Sequence, residues 1–295
     1  MRKNDLFWIF FIVPLLFVTG CANESTFVES PLPEEEESET SPKKTTVSFS
    51  IPPNLQENGI FASEINTGSQ LKVFAYIDNQ LIKEVSYLIY SANSLKPLSE
   101  PMKLITGTYD FYVFTSNDPF YENPGFTNGV SSTLSNDVDY LWGKLENIEV
   151  REEPLSLPIT LTHRCAKINL ELEEAFLTFV HEIDSAFISA PAGSQSMNIQ
   201  TGIITPATMI SNKLITLNID DMECEIILLP IQSQDSLEAV FKLWTNLHLE
   251  SKTFSVKIPL PDNQLEAGYL YEYELIVKEN IFGLKTDSVV HKTPL

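Results

Sequence analysis

Apolar side chains recur at every second position in segment after segment of this chain, and that period makes the pleated strand its dominant element. Tyr269, Tyr271, Tyr273, Leu275 and Val277 fall on one face of such a strand. Val47, Phe49 and Ile51 alternate with serines and stop at Pro52-Pro53. Residues 71–77 and 81–90 flank Asp78-Asn79-Gln80, which is hairpin turn chemistry. The run 108–114 is aromatic and β-branched, as a half-buried sheet surface requires. Further strands are expected over 148–151, 159–172, 185–190, 214–219, 224–229, 239–249, 252–258 and 269–277. Only 172–181 offers a short helical pattern, while Asn117-Asp118-Pro119, Asn123-Pro124-Gly125 and Asn128-Gly129 mark 116–139 as loop. Strands at this spacing, punctuated by proline and glycine, predict an all-β chain of sandwiches. Its length suits two of them in tandem, over 47–154 and 155–295, divided at Glu152-Glu153-Pro154.

The N-terminus reads as a leader. Arg2 and Lys3 precede an apolar run over 6–18, shorter than the ~20 residues a spanning helix needs. The run ends in Val18-Thr19-Gly20-Cys21, which looks like a bacterial lipobox: small residues admit the signal peptidase beside a diacylated thiol. Residues 1–20 are therefore expected to be a lipoprotein signal peptide, cut between Gly20 and Cys21. Cys21 would then carry acyl chains of the palmitate class, and more than one chain is what stable anchoring takes. Residues 21–46, with clustered prolines and four consecutive glutamates, read as a disordered acidic tether that proline stiffens and like charge extends.

The chain has 19 basic and 40 acidic residues. Such a surface repels nucleic acid and anionic head groups, so no nucleic-acid partner is expected. Beyond Cys21 only Cys165 and Cys224 remain, and an oxidising compartment permits a disulfide between them. Alternation through Ala166, Ile168, Leu170 and Leu172 places Cys165 on the polar face, and two unpaired thiols are the preferred reading.

No catalytic constellation emerges. His163, His181, His248 and His291 are scattered, without HExxH spacing, and GxSxG and phosphate-binding glycine loops are missing from the sequence. The cluster His181-Glu182-Ile183-Asp184 has metal-ligand residue types but reads better as a surface turn. The expectation is a protein that is not an enzyme, with no catalytic residues, metal or cofactor. Phe120, Tyr121, Phe126, Tyr140 and Trp142 form either a sugar-binding platform or, for Tyr140 to Trp142, core packed beneath the loop; the second reading is preferred.

Several segments, in order along the chain, resemble the fimbrillin superfamily of Bacteroidales, the subunits and accessory lipoproteins of type V pili. They are Leu104-Ile-Thr-Gly-Thr-Tyr-Asp-Phe-Tyr-Val-Phe114, Asn136-Asp-Val-Asp-Tyr-Leu-Trp142, Leu157-Pro-Ile-Thr-Leu-Thr-His-Arg-Cys-Ala-Lys-Ile168 and Leu265-Glu-Ala-Gly-Tyr-Leu-Tyr271. The resemblance implies two transthyretin-like sandwiches in a stalk, tip or anchor of an adhesive pilus. It implies assembly by strand exchange: a protease removes a first strand, and a neighbouring subunit's strand fills the groove. Here the removable strand would be 47–51 and the donor 281–290. Trimming after arginine is the family habit, yet none lies between Arg2 and Arg151, which leaves Lys43 and Lys44 as the basic maturation site. The departure favours a fimbrillin-like component over a major stalk subunit. Acidic residues soon after a lipidated cysteine also resemble the surface-export signal of Bacteroidales lipoproteins. Implied partners are other pilus subunits, the outer membrane through the lipid, and a host or bacterial surface receptor. The alternative is a monomeric surface lipoprotein that binds glycan or host protein.

Overall fold

The computed structural model describes residues 42–52, 65–91, 94–174, 179–206, 211–246, 250–278, 281–284 and 291–295. The leader, Cys21 and the tether up to residue 41 lie outside the described residues. Within them the regular structure is strand throughout, apart from one 3-10 turn at Pro261–Asn263.

The N-terminal part is a sandwich. One layer is a three-stranded sheet in the order β10 (Leu155–Pro158), β1 (Thr45–Ser50), β5 (Met102–Leu104). The other has six strands: β11 (Thr162–His163), β9 (Leu141–Val150), β6 (Gly107–Thr115), β2 (Gln70–Ile77), β3 (Gln80–Ser91) and β4 (Ser94–Pro97). The hairpin between β2 and β3 turns on two residues, Asp78 (φ 48°) and Asn79 (φ 63°), with Gln80 already paired to Ile77. Asp and Asn tolerate this left-handed region, whose twist matches a two-residue hairpin.

Strand β6 explains why the large sheet has no solvent face at its centre. Tyr109, Phe111 and Val113 point into the sandwich with Val47, Phe49, Leu71, Val73 and Tyr87. Tyr112 and Phe114, on the opposite face, join Phe74, Tyr76, Tyr140, Trp142, Cys165, Met197 and Ile199 in a second core. A run apolar on both parities is what a sheet covered on both sides demands.

The C-terminal part is a second sandwich. Its first sheet runs β17 (Asn218–Asp220), β18 (Glu223–Leu228), β12 (Ala166–Glu174) and β23 (Tyr269–Lys278), with β24 (Ile281–Leu284) and β25 (His291–Pro294) both on the outer edge of β23. Facing it are β16 (Ser211–Thr216), β13 (Val180–Ala192), β20 (Ser236–Thr245) and β21 (Lys252–Pro259). Ile168, Leu170, Ile188, Phe241, Ile258, Tyr271 and Tyr273 fill the space between. A small sheet, β15 (Ile203–Ile204), β14 (Met197–Asn198), β8 (Val130–Ser131) and β7 (Phe126–Thr127), ties the 126–131 loop to the C-terminal part. A short pair, β19 (Ile231–Gln232) with β22 (Gln264–Leu265), completes the set.

Three expectations are corrected. Residues 172–174 and 180–181 are strand, not helix. The 159–172 strand is interrupted: β11 pairs with β9, and β12 starts afresh at Ala166. That break resets the pleat, so Cys165 is 1 % exposed in the core rather than on a polar face. Cys165 and Cys224 are both buried free thiols. Burial raises the Cys224 thiol to about 12 and pushes Cys165 further up. Since the thiolate is the reactive form, neither should react with DTNB at pH 8 in the native chain, and both should in urea. Rapid native labelling of either would contradict the packing.

Candidate functional site

The sequence singles out the first strand, its basic approach and the C-terminal segment, and the structure shows how each is held. Strand β1 alternates strictly: Thr45, Val47, Phe49 and Ile51 are buried, while Ser48 faces solvent. It lies between two neighbours that sequence reading had not identified. Val47 to Ser50 pair in parallel with Leu155 to Pro158, and Thr45 to Val47 pair antiparallel with Leu104 to Met102. The Ile159 amide donates to the Ser50 carbonyl at 2.8 Å, and the Ser48 hydroxyl donates to the Leu155 carbonyl at 3.2 Å. Phe49 reaches furthest in, edge-on to Tyr87 and Phe111 with centroids 5.8 and 5.4 Å away.

The signal for β10 was present in Leu155 and Leu157, spaced by two. It sits just beyond Pro154, where the sequence pattern opens a second domain, and no local signal points to its pairing back onto β1. Leu157, Ile159 and Leu161 all belong to the N-terminal core.

Just before β1, Lys43 and Lys44 are exposed. Lys43 meets Glu152 at 3.2 Å, with side chains 71 % and 67 % exposed. Such a contact is worth little and leaves the peptide accessible.

At the other end of the chain, Ile281–Leu284 pairs antiparallel with Lys278 to Leu275, and His291–Pro294 pairs with Glu272 to Tyr269. Residues 285–290 of the expected donor lie outside the described residues. The last strand is pinned by Lys292, which bridges Glu266 at 2.8 Å and stands 4.3 Å from the Tyr269 ring centroid. The Leu295 amide donates to the Gly268 carbonyl.

The remaining expected sites resolve differently. His181, Glu182 and Asp184 are on bulged strand β13, not in a turn; the His181 ring lies 5.3 Å from that of Trp244, tilted 56° to it, and Asp184 binds Lys242. Among the described residues no group of three or more His, Cys, Asp or Glu is placed to hold a metal. Tyr140, Leu141 and Trp142 are core, as preferred from the sequence. Trp142 stacks on Tyr112, donates its indole N–H to the Ile199 carbonyl at 2.7 Å, and carries the Arg164 guanidinium 4.3 Å from its ring. No face of that ring is free for a sugar; of the loop aromatics, Phe120 alone is strongly exposed.

A fimbrillin-like family model matches residues 57–292. The chain belongs to the fimbrillin-like family. No curated protein matches it. Among solved structures, a candidate cell adhesion protein of Bacteroides ovatus superposes with a TM-score of 0.61 at 14 % identity, over 86 % of this chain and 97 % of the other. A candidate cell adhesion protein of Bacteroides uniformis gives 0.59 at 16 % identity, over 82 % and 96 %. One from Bacteroides fragilis gives 0.53 at 14 %, over 85 % and 97 %. At such identities these likenesses show a shared fold. Family membership supports a pilus-related role at the cell surface, and the fimbrillin-like family is one of structural, adhesion-type proteins.

Proposed function

We propose that this fimbrillin-like chain is a component of a cell-surface adhesive pilus, lipidated at Cys21 and assembled by strand exchange at the β1 groove. The observation that supports this most is the seating of β1. A six-residue strand supplies the middle of a three-stranded layer, buries Phe49 in the sandwich, and is preceded at once by an exposed dilysine. Cutting after Lys44 would sever β1 from the tether and leave it held to the chain only at its C-terminal end, and its displacement would uncover an apolar slot with unpaired backbone on both sides. A slot of that kind accepts a foreign strand through backbone bonds and alternating side chains. Because the cut site is lysine rather than arginine, the chain fits an anchor or terminating subunit that keeps its lipid and β1 better than it fits a stalk subunit.

Envelope and sheared-surface fractions from the native host, blotted boiled and unboiled, test this. Expected is a full-length, membrane-retained band with a share of high-mass species that boiling collapses. A single monomeric band in every fraction, boiled or not, would remove the pilus reading. A ladder of chains trimmed near Lys44 in the sheared fraction would move the role from anchor to stalk.

A further inference from the structure

Strand β1 fills its groove with one flaw. Thr45, Val47, Phe49 and Ile51 are the side chains it turns inward. The last three are apolar members of the N-terminal core. Thr45 is 3 % exposed and stands opposite Leu104, at the first position of the strand. Its hydroxyl oxygen is buried and has no hydrogen-bond partner among the described residues. A displaced strand would bond that hydroxyl to water, so burying it without a partner weakens the seat. A side chain of the same branched shape without the hydroxyl would fill the place at no such cost.

The outward positions ask for little. Ser48 faces solvent, and Thr46 and Ser50 are half-buried. What the groove demands is a register of four inward side chains. They are a branched aliphatic residue in place of Thr45, an aliphatic residue at Val47, a ring set edge-on to Tyr87 and Phe111 at Phe49, and an aliphatic residue at Ile51. A strand in that register keeps the parallel pairing with β10 and the antiparallel pairing with β5, and improves on β1 at one position. That position adjoins Lys44, so an incoming strand gains first at the end a cut there would free.

The chain's own C-terminal segment does not meet this demand. In one phase residues 281–290 offer Phe282, Leu284, Thr286, Ser288 and Val290, and any four in succession bury both Thr286 and Ser288. In the other phase they offer Ile281, Gly283, Lys285, Asp287 and Val289, and any four bury both Lys285 and Asp287. Two hydroxyls or two charges in an apolar slot outweigh the single hydroxyl they would replace.

We infer that the β1 groove takes an extended strand from a different protein, with aliphatic, aliphatic, aromatic and aliphatic residues at alternate positions and valine or isoleucine in the Thr45 register. The inference rests on the strand-exchange reading above and narrows its partner, which is not a second copy of this chain. Backbone pairing holds the strand, and the four inward side chains select it.

Two measurements on the full chain test this. Thr45→Val should raise the folded-to-unfolded ratio about tenfold at a fixed urea concentration, because the seat keeps its shape and sheds the orphan hydroxyl. No gain, or a loss, overturns the inference. In the second measurement Phe49→Asp disables the chain's own β1, and labelled peptides are offered to the groove: residues 44–52 as they stand, the same peptide with Thr45→Val, and residues 281–290. The Thr45→Val peptide should be retained about tenfold more than the first, and 281–290 only at background. Equal retention of the first two, or retention of 281–290 at the level of the first, overturns the inference and leaves strand exchange standing. A folded Phe49→Asp chain that retains none of the three overturns both. Where Phe49→Asp prevents folding, the urea measurement decides.

Discussion

A chain trimmed to begin at Pro52 is expected to lose most of the stability of its N-terminal sandwich. Val47, Phe49 and Ile51 are 0 %, 6 % and 3 % exposed. Burying side chains of this size stabilises by about 1.5–3 kcal/mol each, so the three together represent roughly 5–9 kcal/mol. That is an upper bound, since an unfolded chain already hides part of its apolar surface, but it is comparable to the whole net stability of a typical domain. The backbone contribution acts in the same direction. Without β1, the facing edges of β5 and β10 lose their partner, and their N–H and C=O groups open onto a slot lined by Leu71, Tyr87, Met102 and Phe111. The measurement is a urea melt of trimmed and intact chains with a dye that reports exposed apolar surface. Dye binding and a large drop in the midpoint are expected for the trimmed chain. Adding a peptide of residues 44–52 should reverse both, and the same peptide carrying Phe49→Asp should not. A trimmed chain that melts within about 1 kcal/mol of the intact one would show that β1 covers nothing essential, and the strand-exchange proposal would go with it.

How much of this was legible in the sequence depends on whether the deciding contact is local. The alternation of Val47, Phe49 and Ile51 is local, and so is that of Tyr269 to Val277; both strands stand where the pattern puts them. The hairpin at Asp78-Asn79 is local as well. Pairing partners are not. Parallel pairing of β1 with β10 joins residues 47–50 to 155–158, and no short-range pattern encodes that register. The Cys165 error has a similar origin. Alternation counted back from Ala166 assumes an unbroken strand, whereas the backbone changes sheets between His163 and Ala166 and the phase is lost. At 172–181 a run of glutamate, alanine, phenylalanine and leucine carries helix propensity, yet Leu172 and the residues after Phe179 belong to strands, where tertiary pairing outweighs a weak local preference. A cleft beside β16 was illegible for the strongest reason: it is lined by residues 134–137, 191, 193, 195, 213–216 and 229, far apart in the chain.

Trp142→Ala is expected to cost about 3–5 kcal/mol, the range for deleting a large buried aromatic side chain. The loss falls at the joint between the two sandwiches. Trp142 belongs to β9, in the N-terminal sheet, but its indole N–H is bound by Ile199 and its ring is covered from the 197–204 ribbon. Gly202 is the piece that makes this fit. Its φ is +65°, and a Cβ built there would stand 2.5 Å from the Trp142 ring. Gly202→Ala therefore carries two penalties: roughly 1–2 kcal/mol for an L-residue held in the left-handed region, and about 1–3 kcal/mol for forcing the ring aside. Only the second depends on the tryptophan. In a Trp142→Ala background Gly202→Ala should retain the backbone penalty and lose the steric one, giving a coupling of about 1–3 kcal/mol between the two sites. A double-mutant cycle read from urea melts measures it. Costs that add to within about 0.5 kcal/mol would mean the ring yields freely and does not clasp the two sandwiches. A strong coupling would mean that the ring is gripped between β9 and the 197–204 ribbon, so that loosening either one is felt at the other.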